Sequence, residues 1–180
     1  MRNGGGVRRA TGFLMIEWWV VLALAAAAAA FAVPSLVAWR MRDRVDVQAR
    51  LMLASLAQAR GEAIRLGLRV VLCRGGTGVG CEAGGRCAAG ETDWSCGWTV
   101  AALGPDGQPR VLRRSVGDAR VAVSGAARAL VFTPPAGQLI GDFRRFEFAS
   151  RGRSDEDPDA RWCLRIAAGG RARLARGRCE

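Results

Sequence analysis

The chain has 180 residues, room for one domain plus an appendage, and all 27 of its basic residues are arginine: lysine, histidine and tyrosine are absent. Without histidine there is no Ser-His or Cys-His nucleophile pair and no imidazole metal site, and without lysine no Schiff base and no P-loop. Half of the residues are hydrophobic while the formal charge is +11, so apolar and basic residues must be segregated along the chain or across the fold.

Met1 to Gly12 carries Arg2, Arg8 and Arg9 and no acid, the pattern of a segment that stays on the cytoplasmic side of a membrane. From Trp18 to Trp39 there is no formal charge, and these 22 residues are enough for a helix to cross a hydrocarbon core of about 30 Å. An ordinary secretory signal peptide, cleaved at the small-x-small triplet Ala30-Phe31-Ala32, is one reading. Glu17 favours another. A carboxylate just inside an apolar segment costs a few kcal/mol, so it is normally kept for a partner or a function, and a discarded peptide has no use for it.

Gly12-Phe13-Leu14-Met15-Ile16-Glu17-Trp18-Trp19-Val20-Val21 resembles the class III signal peptides of type IV pilins and type II secretion pseudopilins. The resemblance implies that a prepilin peptidase cuts after Gly12, that Phe13 becomes a methylated N-terminus, and that Glu17, fifth in the mature chain, is retained. Pro34 falls at the twenty-second mature position, where the family carries a proline that loosens the helix. Leu14 in place of threonine and Trp18-Trp19 in place of leucines depart from the pattern but leave its charge and cleavage chemistry intact. On assembly Glu17 is expected to pair with the amino group of Phe13 on a neighbouring subunit, removing two charges from lipid.

Beyond Pro34 the helix is expected to continue. No glycine or proline occurs from Ser35 to Arg60, and Val45, Ala49, Met52, Leu56, Ala59, Ala63 and Leu66 recur at helical spacing, opposite Arg42, Asp46, Arg50, Arg60 and Glu62. Gly67 is the expected stop. After it, short β-rich runs separated by Gly, Pro and Asp predict antiparallel strands at 68–74, 98–103, 110–116, 120–124, 129–133, 143–149, 161–167 and 171–175, with turns at 104–107 and 168–170. The acidic stretch 151–160 reads as a solvated loop. The fold class is therefore α+β, a long N-terminal helix packed on an antiparallel β-sheet head. Its segments are a leader (1–12), a membrane half-helix (13–39), an amphipathic half-helix (40–67) and the head (68–180).

Within the head, Val70-Val71-Leu72-Cys73, Trp94-x-x-Gly97-Trp98, Asp106-Gly107, Val131-Phe132-Thr133-Pro134 with Gly137, and Gly170-Arg171-Ala172-Arg173 resemble the GspH/FimT group of minor pilins, which implies the type IV pilin-like fold. All six cysteines lie beyond the membrane segment, and an even count on the exported side predicts disulfides. Zinc fits poorly, for the separations among Cys73, Cys81, Cys87 and Cys96 include no Cys-x-x-Cys and there is no histidine. Cys163 with Cys179 is expected to tie the tail beside the last hairpin. The other four cysteines allow three connectivities, which stay open.

Removal of the leader leaves 24 arginines against 16 acids, a formal charge of +8. From Arg161 to Glu180 there are six arginines and one acid, and alternation puts Arg171 and Arg173 on one face of a strand, with Arg176 and Arg178 following. Arginine forks bind phosphate bidentately, and a row of them gives affinity without base specificity. FimT-like pilins are associated with DNA binding in natural transformation through a Gly-Arg-x-Arg element, which Gly170 to Arg173 matches. The competing account is compositional, because an arginine-only chain places arginine on every exposed surface. The expectation is a minor pilin of the type IV pilus, with no cofactor, metal or catalytic residue. Its expected partners are other pilins, the prepilin peptidase, the inner membrane and double-stranded DNA without sequence specificity. It would be a single-pass protein of the inner membrane, head in the periplasm, and of the pilus or pseudopilus fibre. A GspH-like pseudopilin of type II secretion is the alternative. An anchored exported enzyme is a third reading, and no paired-carboxylate or nucleophile motif supports it.

Overall fold

The computed structural model describes residues 15–75, 87, 90, 92–125, 128–139, 144–152 and 160–179. The chain divides into two units, Met1–Trp39 and Arg40–Glu180, and one helix, α1 (Met15–Leu66), runs through both. It stops where Gly67 turns to a φ of +63°, a left-handed conformation that glycine adopts without a side-chain clash.

In the first unit the large apolar side chains of α1 that are described face outward. Ile16, Trp18, Trp19, Leu24 and Phe31 are all exposed, and by length and composition this stretch can cross a membrane. In the second unit α1 is amphipathic. Val45, Ala49, Met52, Leu56, Ala59 and Ala63 are completely buried, which is the stripe read from the sequence; Leu66 at its end is partly buried.

Nine strands follow among the described residues: β1 (Val70–Arg74), β2 (Gly97–Leu103), β3 (Pro109–Val116), β4 (Val121–Gly125), β5 (Ala129–Thr133), β6 (Gln138–Leu139), β7 (Arg144–Ser150), β8 (Trp162–Ile166) and β9 (Ala172–Arg176). They form two antiparallel sheets, sheet I in the order β3-β2-β1-β5-β6 and sheet II in the order β4-β7-β8-β9. The two-residue β6 is absent from the sequence reading, being too short to carry an alternation signal. The division of the strands into two sheets adds to that reading, because alternation tells which face a residue takes but not which strand pairs with it.

Both sheets and α1 share one core. Trp98 of β2 donates its indole N–H to Ser55 Oγ at 2.9 Å, and Ser55 donates in turn to the Leu51 carbonyl at 2.8 Å, so a buried polar pair joins sheet I to the helix. Trp94 meets Phe146 of sheet II edge-on at 5.0 Å, and its backbone N–H donates to Val123 O at 2.7 Å. The Trp94-x-x-Gly97-Trp98 element thus joins the two sheets. Its glycine is required, since a Cβ at Gly97, whose φ is +101°, would stand 2.3 Å from Ser115 O. Where β3 gives way to β4, Asp118 accepts from Arg120 N–H at 2.9 Å and from Arg44 of α1 at 3.0 Å. The backbone N–H of Arg120, helped by the Arg44 guanidinium, holds the Asp118 carboxyl below its ordinary pKa.

Candidate functional site

Three sequence-predicted features lie at the N-terminus. Gly12 and Phe13 are outside the described residues. Glu17 is an exposed carboxylate in the first turn of α1, among exposed Met15, Ile16, Trp18 and Trp19. The helix continues through Pro34, which has no N–H to donate.

The described cysteines are all disulfide-bonded. Cys163 is joined to Cys179 and Cys87 to Cys96; Cys73 is also bonded, and Cys81 lies outside the described residues. No group of three or more His, Cys, Asp or Glu side chains among the described residues could hold a metal.

The C-terminal arginines gather on sheet II. β8 and β9 form a hairpin in which Trp162 faces Arg176, Cys163 faces Ala175, Leu164 faces Leu174, Arg165 faces Arg173 and Ile166 faces Ala172. Leu164 and Ile166 go into the core, so Arg165 and Arg173 emerge on the outer face, where both are exposed. Beyond β9 the chain is still tied to β8, Gly177 N–H donating to Arg161 O at 2.9 Å, and the Cys163–Cys179 bridge folds the tail back. The Cys179 sulfur ends 3.5 Å from Phe146 O on β7. The result is an open groove of about 700 Å³ lined by Arg165, Arg171, Arg173, Arg176 and Arg178 beside Cys163. No described carboxylate lines it.

The hairpin turn carries the glycine of the Gly-Arg-x-Arg element. Gly170 has a φ of +74°, and a Cβ there would stand 2.3 Å from the carbonyl oxygen of Gly137. Leu139 N–H donates to Ala168 O at 3.0 Å across the same contact between turns. Any residue but glycine would force these turns apart and move Arg171 and Arg173, which follow at once. Gly170 is thus a positioning residue for the arginines.

Not all six C-terminal arginines serve the groove. Arg161 is buried, with its guanidinium 2.7 Å from Glu147 of β7, so it neutralises a neighbouring acid and adds nothing to the exposed charge. Arg176 lies with its guanidinium 5.3 Å from the centre of the Trp162 ring, which also meets Arg50 of α1 at 5.7 Å. Arg145, exposed on β7, is a basic residue of this sheet that sequence reasoning missed. Its only signal was the alternation of β7, which sets its face but not its neighbour.

The family model described as type II transport protein GspH matches residues 48–170, more than half of the chain. The chain belongs to the GspH family. Two proteins of known structure share its fold. The type IV minor pilin FimU of Pseudomonas aeruginosa (strain PAO1) is 22% identical, with a TM-score of 0.55 over 74% of this chain and 90% of that one. A second crystal form of FimU gives 21% identity and a TM-score of 0.53 over 72% and 91%. The minor pseudopilin EpsH of the type 2 secretion system of Vibrio cholerae is 12% identical, with a TM-score of 0.52 over 74% of this chain and 97% of that one. No curated protein sequence matches. Membership in the GspH family thus goes with a fold that a type IV minor pilin and a type 2 secretion pseudopilin both show.

Proposed function

We propose that this chain is a minor pilin of a type IV pilus that binds double-stranded DNA without sequence preference, through the arginine groove of sheet II, and serves natural transformation. The carrying observation is that groove: Arg171 and Arg173 stand in it with Arg165, Arg176 and Arg178, and no described acid lines it. A prepilin peptidase cuts between Gly12 and Phe13, and the apolar half of α1 anchors the chain in the inner membrane with its head in the periplasm. Glu17 meets the Phe13 amine of a neighbouring subunit during entry into the fibre.

Phosphate contacts release counterions, so binding must weaken with salt. Fluorescence anisotropy of the full-length protein in nonionic detergent, with two labelled duplexes of unrelated sequence, is the test. Similar affinity for both is expected, falling steeply between 50 and 200 mM NaCl, and Arg171→Ala with Arg173→Ala should lower the log–log salt slope by about 2. A double variant that binds like wild type, or binding indifferent to salt, would remove the DNA reading.

A pseudopilin of type II secretion is the second reading, favoured by the description of the matching family and by the fold of EpsH. Deletion in the native host separates the two, through loss of DNA uptake in one case and loss of protein secretion in the other.

A further inference from the structure

Rows of side chains cross sheet II at right angles to its strands. The register aligns Phe146, Leu164 and Leu174 in one row, and Arg145, Arg165 and Arg173 in the next. The first row enters the core, where Phe146 and Leu164 are buried and Leu174 is partly buried. The arginine row therefore leaves the outer face, one guanidinium from each of three adjacent strands. The following outer row is Glu147, Cys163 and Ala175, and its acid is already held by Arg161 at 2.7 Å.

Like charges directly opposite one another destabilise a sheet, and this row contains two such pairs. Neither Arg145 nor Arg173 makes an ion pair with a described carboxylate. Compositional accumulation scatters arginine over a surface; it does not by itself align three of them across hydrogen-bonded strands on one level.

We propose that this row is a track for the backbone of one DNA strand, running across β7, β8 and β9, in which Arg145 and Arg165 are phosphate contacts additional to those of the tail. The proposal rests on the DNA reading above and names the surface that reading uses. Strands lie 4.7–4.9 Å apart, so three of them span about 10 Å. Successive phosphates of one strand rise about 3.4 Å along the duplex axis and stand further apart along the backbone itself, so the row reaches about two or three of them. Guanidinium forks suit such a run because each donates two parallel hydrogen bonds edge-on to the oxygens of one phosphate. The tail completes the track: Cys179, disulfide-bonded to Cys163, lines a smaller hollow of about 280 Å³ with Arg145 and Glu147, which brings the chain next to Arg178 back over β7. Because one strand suffices, single-stranded DNA should depend on Arg145 as duplex does.

The test is anisotropy of the full-length protein in nonionic detergent, with a labelled 20-base-pair duplex and a labelled 20-nucleotide single strand, over a range of NaCl concentrations. Arg145→Ala should weaken binding of both about three- to tenfold and lower the duplex salt slope by about 1. Arg165→Gln should do the same, so a folding defect in one variant does not decide the matter. Arg110→Ala, an equal charge change at an exposed position on β3, should leave binding at wild-type strength. If the Arg171/Arg173 double variant loses binding while Arg145→Ala and Arg165→Gln keep it, the DNA reading stands and the track is rejected. An equal loss with Arg110→Ala rejects the track in favour of net charge. Wild-type protein that binds neither DNA, or binds only phosphatidylglycerol vesicles, overturns both.

Discussion

The inner strands of the two sheets use their outer faces differently. In sheet I, β1 is buried on both faces from Val70 to Arg74, and β2 is buried from Gly97 to Ala102. In sheet II the outer face is closed at Cys163 and Ala149 but open at Arg145, Arg165 and Arg173. A strand covered on both sides contributes mainly to stability. A strand open on one side can carry charge that costs stability, provided the core beneath it and the bridge at its end hold it. Stability and binding are therefore expected to separate between the sheets.

The largest test of that separation is Trp98→Ala in sheet I. It removes a fully buried indole and leaves the Ser55 hydroxyl without its donor, for a loss of about 3–5 kcal/mol in urea unfolding. The remaining folded protein should keep the wild-type salt slope for DNA; a changed slope would break the comparison. Next comes the bridge of sheet II. Cys163→Ser with Cys179→Ser opens a loop of 16 residues, with an expected loss of about 3 kcal/mol in thermal unfolding. This pair should also lower the salt slope, because Arg178 is no longer carried back toward β7. Stability lost with binding untouched would separate the tail from the groove.

The smallest effect lies where the sheets meet. Asp118 is held below its ordinary pKa in the folded state, so its contribution is fully present above the unfolded value of about 3.9 and is lost as pH falls through the lower folded value. Urea midpoints followed from pH 6 down to pH 2.5 should fall more for wild type than for Asp118→Asn, with the difference confined below about pH 4. Parallel curves would show that the joint does not depend on this carboxylate.

How far these features were legible in the sequence varies with their range. The α1 stripe from Val45 to Ala63 could be read because one helix presents one face, and spacing alone defines it. The ends of most strands could be read to within a residue or two because Gly, Pro and Asp mark the turns. The partition into two sheets could not, since it depends on which strands pair across long separations in sequence. The same limit applied to the arginines. Arg171 and Arg173 are two residues apart and visibly share a face, whereas Arg145 is aligned with Arg173 only through β8. Arg161, counted among the tail cations, is withdrawn by a glutamate 14 residues earlier, a pairing that only strand register reveals.

Among the described residues β9 lies at one edge of sheet II. An exposed edge strand offers unpaired N–H and C=O groups to any other strand, and the Ala-x-Leu-Ala core of this one would invite such pairing. Arg171, Arg173 and Arg176 place positive charge along that edge, so two copies approaching edge to edge repel each other. Replacing those arginines with apolar residues should turn this edge into an aggregation seam, seen as loss of soluble protein on centrifugation.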